Sequence, residues 1–86
     1  MTVTDFGVGS LCAWVVQQVS SYVERPAAEI DPDVPLAEYG MDSVYALGLC
    51  GDIEVEFGLD VDPTLAWHYP TASAIAGYLS EQLNSS

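Results

Sequence analysis

The chain has 86 residues, half of them apolar, and a formal charge of −12 with a single cationic side chain, Arg25. That length gives one small domain with a limited core, and the apolar share suits a packed fold rather than a disordered tail. The charge excludes nucleic acid and anionic membrane surfaces as partners, because both need clustered Lys or Arg. It favours basic protein surfaces instead.

The first residues, Met1 to about Gly9, read as a loose lead (1–8 as a segment), with Thr4 or Ser10 as caps for a first helix. Leu11, Cys12, Val15, Val16, Val19, Tyr22 and Val23 then repeat at helical spacing, opposite Gln17, Ser20 and Ser21. Pro26 sets the expected stop near Arg25. Residues 26–42 form a long loop with three prolines and an Asp31-Pro32-Asp33 turn, anchored by Ile30, Leu36 and Tyr39.

A second helix is predicted from Ser43 to Phe57, closed by Gly58. It carries two apolar stripes. Ala46, Leu49, Cys50, Ile53 and Phe57 face the core, while Val44, Leu47, Gly48, Gly51 and Val55 fall on a face open to a partner or covered by loops. Gly48 and Gly51 weaken the helix by roughly 1 kcal/mol each against alanine, a cost consistent with close approach by a partner or by the first helix. After a loop from 59 to 70, Thr64–His68 suits one short turn ended by Pro70. Thr71 caps a last helix with Ala72, Ile75, Ala76, Leu79 and Leu83 inward, followed by a polar tail, 84–86. The expected fold is all-α, a small bundle of three principal helices and a short one.

Little catalytic chemistry is available. His68 is the only histidine, and no glycine-rich nucleophile elbow surrounds Ser43. Asp31/Asp33 and Asp60/Asp62 invite a calcium reading, but Leu36 and Leu65 stand where an EF-hand needs glycine, and prolines interrupt both loops. Cys12, Cys50 and His68 are too few and scattered for zinc, so no metal site is expected. The start of the chain lacks the basic and apolar segments of a signal peptide, and no apolar run spans a bilayer. A cytoplasmic setting with both thiols free and buried is expected.

Ser43 stands out. It lies in Glu38-Tyr39-Gly40-Met41-Asp42-Ser43-Val44, at a helix start, with nothing nearby in sequence to activate it. Either Asp42 or Ser43 only caps the helix, or Ser43 is modified by another enzyme. The two readings are compatible, since a helix start exposes unpaired N–H groups and favours an attached phosphate.

The ordered set Glu29-Ile30-Asp31-Pro32-Asp33, Pro35-Leu36, Tyr39-Gly40-Met41-Asp42-Ser43-Val44, Ile53-Glu54-Val55-Glu56-Phe57-Gly58 and Tyr69-Pro70-Thr71 resembles the acyl carrier proteins, over roughly residues 9–83. The resemblance implies a four-helix carrier domain. Ser43 would receive 4′-phosphopantetheine from coenzyme A, in a reaction catalysed by a separate phosphopantetheinyl transferase, and the thiol would hold acyl groups as thioesters. The Pro35–Val44 and Leu65–Thr71 segments look like the polyketide-synthase branch. The partners so implied are an acyltransferase or acyl-adenylate ligase that loads the carrier, and a ketosynthase or other assembly-line enzyme, with the carrier itself a non-catalytic monomer.

By the same analogy Asp42, Val44 and the exposed side of the second helix, with Leu47, Gly48, Gly51, Asp52 and Val55, would meet partners. This chain departs from the family in having no acid between Val44 and Gly51. Apolar contacts would therefore replace early charge, with Glu38, Asp42, Asp52, Glu54 and Glu56 supplying it elsewhere. Two alternatives remain: a peptidyl carrier of a nonribosomal peptide synthetase, and an acidic interaction module that is never pantetheinylated.

Overall fold

The apolar repeats of the sequence become four α-helices in a computed structural model that describes residues 7–62 and 64–84. They are α1 (Val8–Val23), α2 (Ser43–Phe57), α3 (Leu65–His68) and α4 (Ala72–Asn84), and among the described residues no strand occurs. The bundle of three principal helices and a short one is the fold expected from the sequence.

In α1, Leu11, Val15 and Val19 are fully buried, one turn apart on the inward face. They pack chiefly against Ala72, Ile75, Ala76 and Leu79 of α4, so α1 and α4 form the most extensive helix pair. Leu49 and Ile53 of α2 join the core, together with Leu36 from the connection before α2 and Leu65 of α3. Trp14, absent from the expected inward set, meets Phe57 edge to face with ring centroids 4.8 Å apart, tying α1 to the end of α2.

The start of α1 differs from expectation, while its end falls near Arg25 as Pro26 requires. The helix begins at Val8 behind Gly7, which offers no side-chain cap, so Gly9 and Ser10 are helical; Thr4 lies outside the described residues. At the other end Glu24 turns left-handed (φ 56°) and its N–H returns to the Ser20 carbonyl, as does that of Arg25. The helix thus closes before Arg25, whose helical conformation Pro26 disfavours. Asn84 likewise belongs to α4 and not to a tail; its side-chain amide donates to Ser80 Oγ at 3.2 Å. Ser85 and Ser86 lie outside the described residues.

The connection from 26 to 42 is more ordered than a plain loop. It contains two 3₁₀ turns, Ala27–Glu29 and Leu36–Tyr39, entered from Pro26 and Pro35. Proline's fixed φ prepares each entry. The three expected anchors hold it: Ile30 and Leu36 are buried, and Tyr39 is half-buried with its hydroxyl accepting the Asp31 N–H at 2.7 Å. Two further hydrogen bonds stitch the connection to the α3–α4 corner, from Leu36 N–H to the Pro70 carbonyl (2.8 Å) and from Ser73 N–H to the Pro32 carbonyl (2.9 Å). Ser73 Oγ also donates to Asp33 Oδ1 at 2.9 Å. Gly40 then takes φ +90°, a turn that side chains resist, and delivers the chain into α2.

Candidate functional site

The expected cap is Asp42 and not Ser43. Asp42 Oδ1 accepts the Tyr45 N–H at 3.0 Å, and its carbonyl accepts the first helical bond from Ala46 at 2.9 Å. Ser43 is therefore the first residue of α2 proper, exposed, with its hydroxyl free of partners among the described residues. The N–H groups of Ser43 and Val44 also meet no acceptor there. The result is a bare hydroxyl beside unpaired donors at the positive end of a 15-residue helix.

Beside Ser43 lies a groove of about 230 Å³. Its walls come from three places: Leu36, Ala37 and Met41 of the connection, Ala46 of α2, and Ala66, Trp67 and Pro70 around α3, with Asp42 and Ser43 at its mouth. Asp42 is the only charged residue among them. Trp67 is 77% exposed, a large indole among the groove's lining residues. In the sequence Trp67 served only as part of a family-like segment; nothing in its spacing placed it next to Ser43.

The second stripe of α2 is divided by the fold. Val44, Leu47 and Val55 are 69%, 54% and 88% exposed, and Gly51 faces open space. Gly48 belongs elsewhere. A Cβ there would come within 2.7 Å of the Tyr22 hydroxyl, so the glycine admits α1, the second of the two approaches its sequence position allows. Asp52 is also turned to α1: its Oδ2 accepts the Tyr22 hydroxyl at 2.6 Å. Burial first, then the hydrogen bond and charge of Asp52, push the Tyr22 phenol up to about 12. Tyr45 lies alongside, its ring centroid 5.6 Å from that of Tyr22. Glu38, Glu54 and Glu56 are exposed.

The remaining reactive groups sit apart from Ser43. His68 lines a different cleft, with Asp62, Leu65, Tyr69 and Tyr78. Both hydrogen bonds from Thr64, backbone and hydroxyl, hold the Asp62 carboxyl below its usual range. Cys50 is buried and its thiol donates to the Asp62 carbonyl at 3.7 Å; burial and the Asp62 charge push its pKa up, away from a reactive thiolate. Cys12 is only half-buried, at 3.9 Å from Ser73 Oγ, because it stands at the rim of the α1–α4 contact.

Comparison with known proteins decides the family. The model of the phosphopantetheine attachment site matches residues 13–79. The chain belongs to that family. The group its members hold covalently is 4′-phosphopantetheine, and the chain is a carrier domain. A type I polyketide synthase of phenolphthiocerol synthesis from Mycobacterium bovis is 34% identical over 80 residues, which is 92% of this carrier and 4% of that protein. The carrier thus spans about one twentieth of the length of the curated relatives it matches.

Among solved structures, a free-standing peptidyl carrier protein from Acinetobacter baumannii is 35% identical, with a TM-score of 0.89, over 92% of this carrier and 99% of that chain. The acyl carrier protein LipD from Actinoplanes friuliensis is 36% identical, with a TM-score of 0.77, over 100% and 98%. The residues at the start of α2 fit the group: an unencumbered hydroxyl to esterify, unpaired N–H groups beside it for a phosphate, and an apolar groove alongside. No helix of the described residues is long and apolar enough to cross a membrane.

Proposed function

We propose that Ser43 is the residue to which 4′-phosphopantetheine is attached, and that the chain carries acyl intermediates in polyketide assembly as a substrate of other enzymes, not as a catalyst. One observation carries this reading: Ser43 is exposed as the first residue of α2 while Asp42 performs the capping. The cap alternative for Ser43 loses its purpose, and the serine is left available to an enzyme that brings its own base. When attached, the group supplies a thiol on a long flexible arm, able to hold an acyl group as a thioester. The protein's part is to present the hydroxyl, steady the phosphodiester with the α2 N-terminus, and be recognised.

Recognition falls to Asp42 and to the exposed stripe of Val44, Leu47, Gly51 and Val55, bordered by Glu38, Glu54 and Glu56. Gly48 and Asp52 support that face from behind through Tyr22. The partners are a phosphopantetheinyl transferase, a loading acyltransferase or acyl-adenylate ligase, and a ketosynthase or similar enzyme. Their basic surfaces would be steered by the charge of −12. The carrier unit works as a monomer in the cytoplasm. Acyl cargo in a polyketide line is favoured by the names of the curated relatives. The second reading, a peptidyl carrier, is favoured by the 35% identity to the Acinetobacter protein.

The test is intact-protein mass spectrometry after incubation with coenzyme A, magnesium and a broad-specificity phosphopantetheinyl transferase. A phosphopantetheine mass gain in the wild type and none in a folded Ser43→Ala is expected. A folded wild-type protein that gains nothing from several transferases would overturn the reading. Loading of the modified protein by an amino-acid adenylating enzyme, and by no acyl donor, would move the assignment to a peptidyl carrier.

A further inference from the structure

The cleft of Asp62, Thr64, Leu65, His68, Tyr69 and Tyr78 shares no residue with the groove at Ser43. We infer that it binds an arginine side chain of a partner protein, between the Asp62 carboxylate and the rings of Tyr69 and Tyr78. The inference goes beyond attachment at Ser43 and needs no arm in place. The carboxylate is held from two directions. Its Oδ1 accepts the Thr64 N–H at 2.8 Å and the Thr64 hydroxyl at 2.7 Å, and the Asp62 carbonyl accepts the Cys50 thiol at 3.7 Å. Asp62 Oδ2 has no hydrogen-bond partner among the described residues. An acceptor fixed in this way loses little further freedom when a cation arrives.

No cation of the chain takes this place. Arg25, the single cationic side chain, is not among the lining residues. His68 lies near enough to favour the Asp62 charge, but makes no hydrogen bond to it among the described residues. The rings select the kind of cation. Tyr69 and Tyr78 are both half-buried, with centroids 4.8 Å apart and planes at 40°. Aromatic faces beside a carboxylate attract an organic cation. Neither tyrosine hydroxyl has a hydrogen-bond partner among the described residues, so both are open to accept from a guanidinium. Arginine is favoured over lysine because its planar head stacks on a ring while its N–H fork reaches the carboxylate. A hard metal ion would need more oxygen ligands, and among the described residues no three ligating side chains gather. The cleft measures about 430 Å³, which is room for a long side chain together with part of the segment that bears it. The charge of −12 draws basic proteins toward the carrier. Val44, Leu47 and Val55 do not line the cleft either, so a protein held there leaves Ser43 and the exposed stripe of α2 open to an enzyme.

The experiment titrates the isotope-labelled full chain, without the arm, with an end-blocked peptide of alternating arginine and glycine, and with its lysine counterpart. Residue-resolved NMR is recorded at about pH 8, above the usual histidine range. Expected is a saturable shift of the Asp62, Thr64, His68, Tyr69 and Tyr78 signals, with those of Ser43 and Val44 unmoved. Asp62→Asn keeps an oxygen for Thr64 and removes the charge; it should raise the half-saturating concentration of the arginine peptide about fivefold, the scale of one surface charge contact. Glu29→Gln removes the same charge from an exposed site outside the cleft and should leave that concentration nearly unchanged. Tyr69→Leu, which keeps apolar bulk, should weaken the arginine peptide more than the lysine one. Equal weakening by Asp62→Asn and Glu29→Gln, with shifts spread over the acidic residues, would reduce the binding to diffuse attraction and overturn the cleft. Shifts confined to α2, or none at all, would overturn it too, and each of these results leaves attachment at Ser43 standing.

Discussion

The hydroxyl of Tyr22 donates to Asp52 Oδ2 at 2.6 Å, joining the last turn of α1 to the middle of α2 across the bare backbone of Gly48. Tyr22 on one side, and Gly48 and Asp52 one turn apart on the other, thus set how closely α1 meets the helix that begins at Ser43. The contact is polar, half-buried and adjacent to the exposed stripe, so it braces that stripe from behind.

The first prediction concerns pH. The Tyr22 phenol is raised from 10.0 to about 12 in the folded chain. The folded state therefore holds the proton more tightly than the unfolded one. Stability from this group is fully present below pH 10 and is lost as pH rises from 10 through about 12. Ultraviolet titration of the phenolates is expected to show one late component, absent in Tyr22→Phe. Tyr22→Phe is also expected to lose about 1 kcal/mol of stability at neutral pH by urea denaturation. A wild-type titration without the late component would contradict the bond.

The two middle glycines of α2 are expected to respond differently to alanine. Gly51 faces open space, so Gly51→Ala should gain up to about 1 kcal/mol from helix propensity alone. At Gly48 the new methyl would meet the Tyr22 hydroxyl at 2.7 Å, so the phenol must shift, which strains its bond to Asp52. Gly48→Ala should therefore gain clearly less than Gly51→Ala, or lose stability. Equal gains in urea denaturation would show that Tyr22 gives way without cost.

Asp42 caps α2 through the Tyr45 N–H. Asp42→Ala is expected to cost about 1 kcal/mol, while Asp42→Asn, which keeps an accepting oxygen, should cost only a fraction of that. Because Ser43 is the next residue, fraying of the first turn should also slow its modification. The check is the rate of phosphopantetheine attachment for the two variants at equal folded fraction. Equal rates would separate the cap from the presentation of Ser43.

Leu47 is the test of the exposed stripe. More than half of its surface is in water, and glutamine matches leucine closely in helix propensity, so Leu47→Gln should change stability by less than about 0.5 kcal/mol. On the proposed docking role it should nonetheless slow acyl transfer to or from a partner enzyme, measured in single turnovers with the arm attached. An unchanged transfer rate with several partners would remove Leu47 from the recognition surface.

Much of this molecule is local in origin and was legible in the amino-acid order. The spacing of Leu11, Val15 and Val19, of Leu49 and Ile53, and of Ile75 and Leu79 follows the helical period, so the helices and their inward faces could be read directly. Gly58 and Thr71 marked helix ends because left-handed closure and side-chain capping act within a few residues. Ser43 was legible for the same reason, since its helix-start position is a local property. Relations across the chain were not. That Gly48 serves α1 and that Asp52 is held by Tyr22 depend on a contact 30 residues apart. The groove at Ser43 needs a wall from α3, where Trp67 has no periodic partner to announce it. Periodicity reports which side of a helix avoids water. Which neighbour arrives there, and which apolar residue is left exposed beside the serine, was decided by packing.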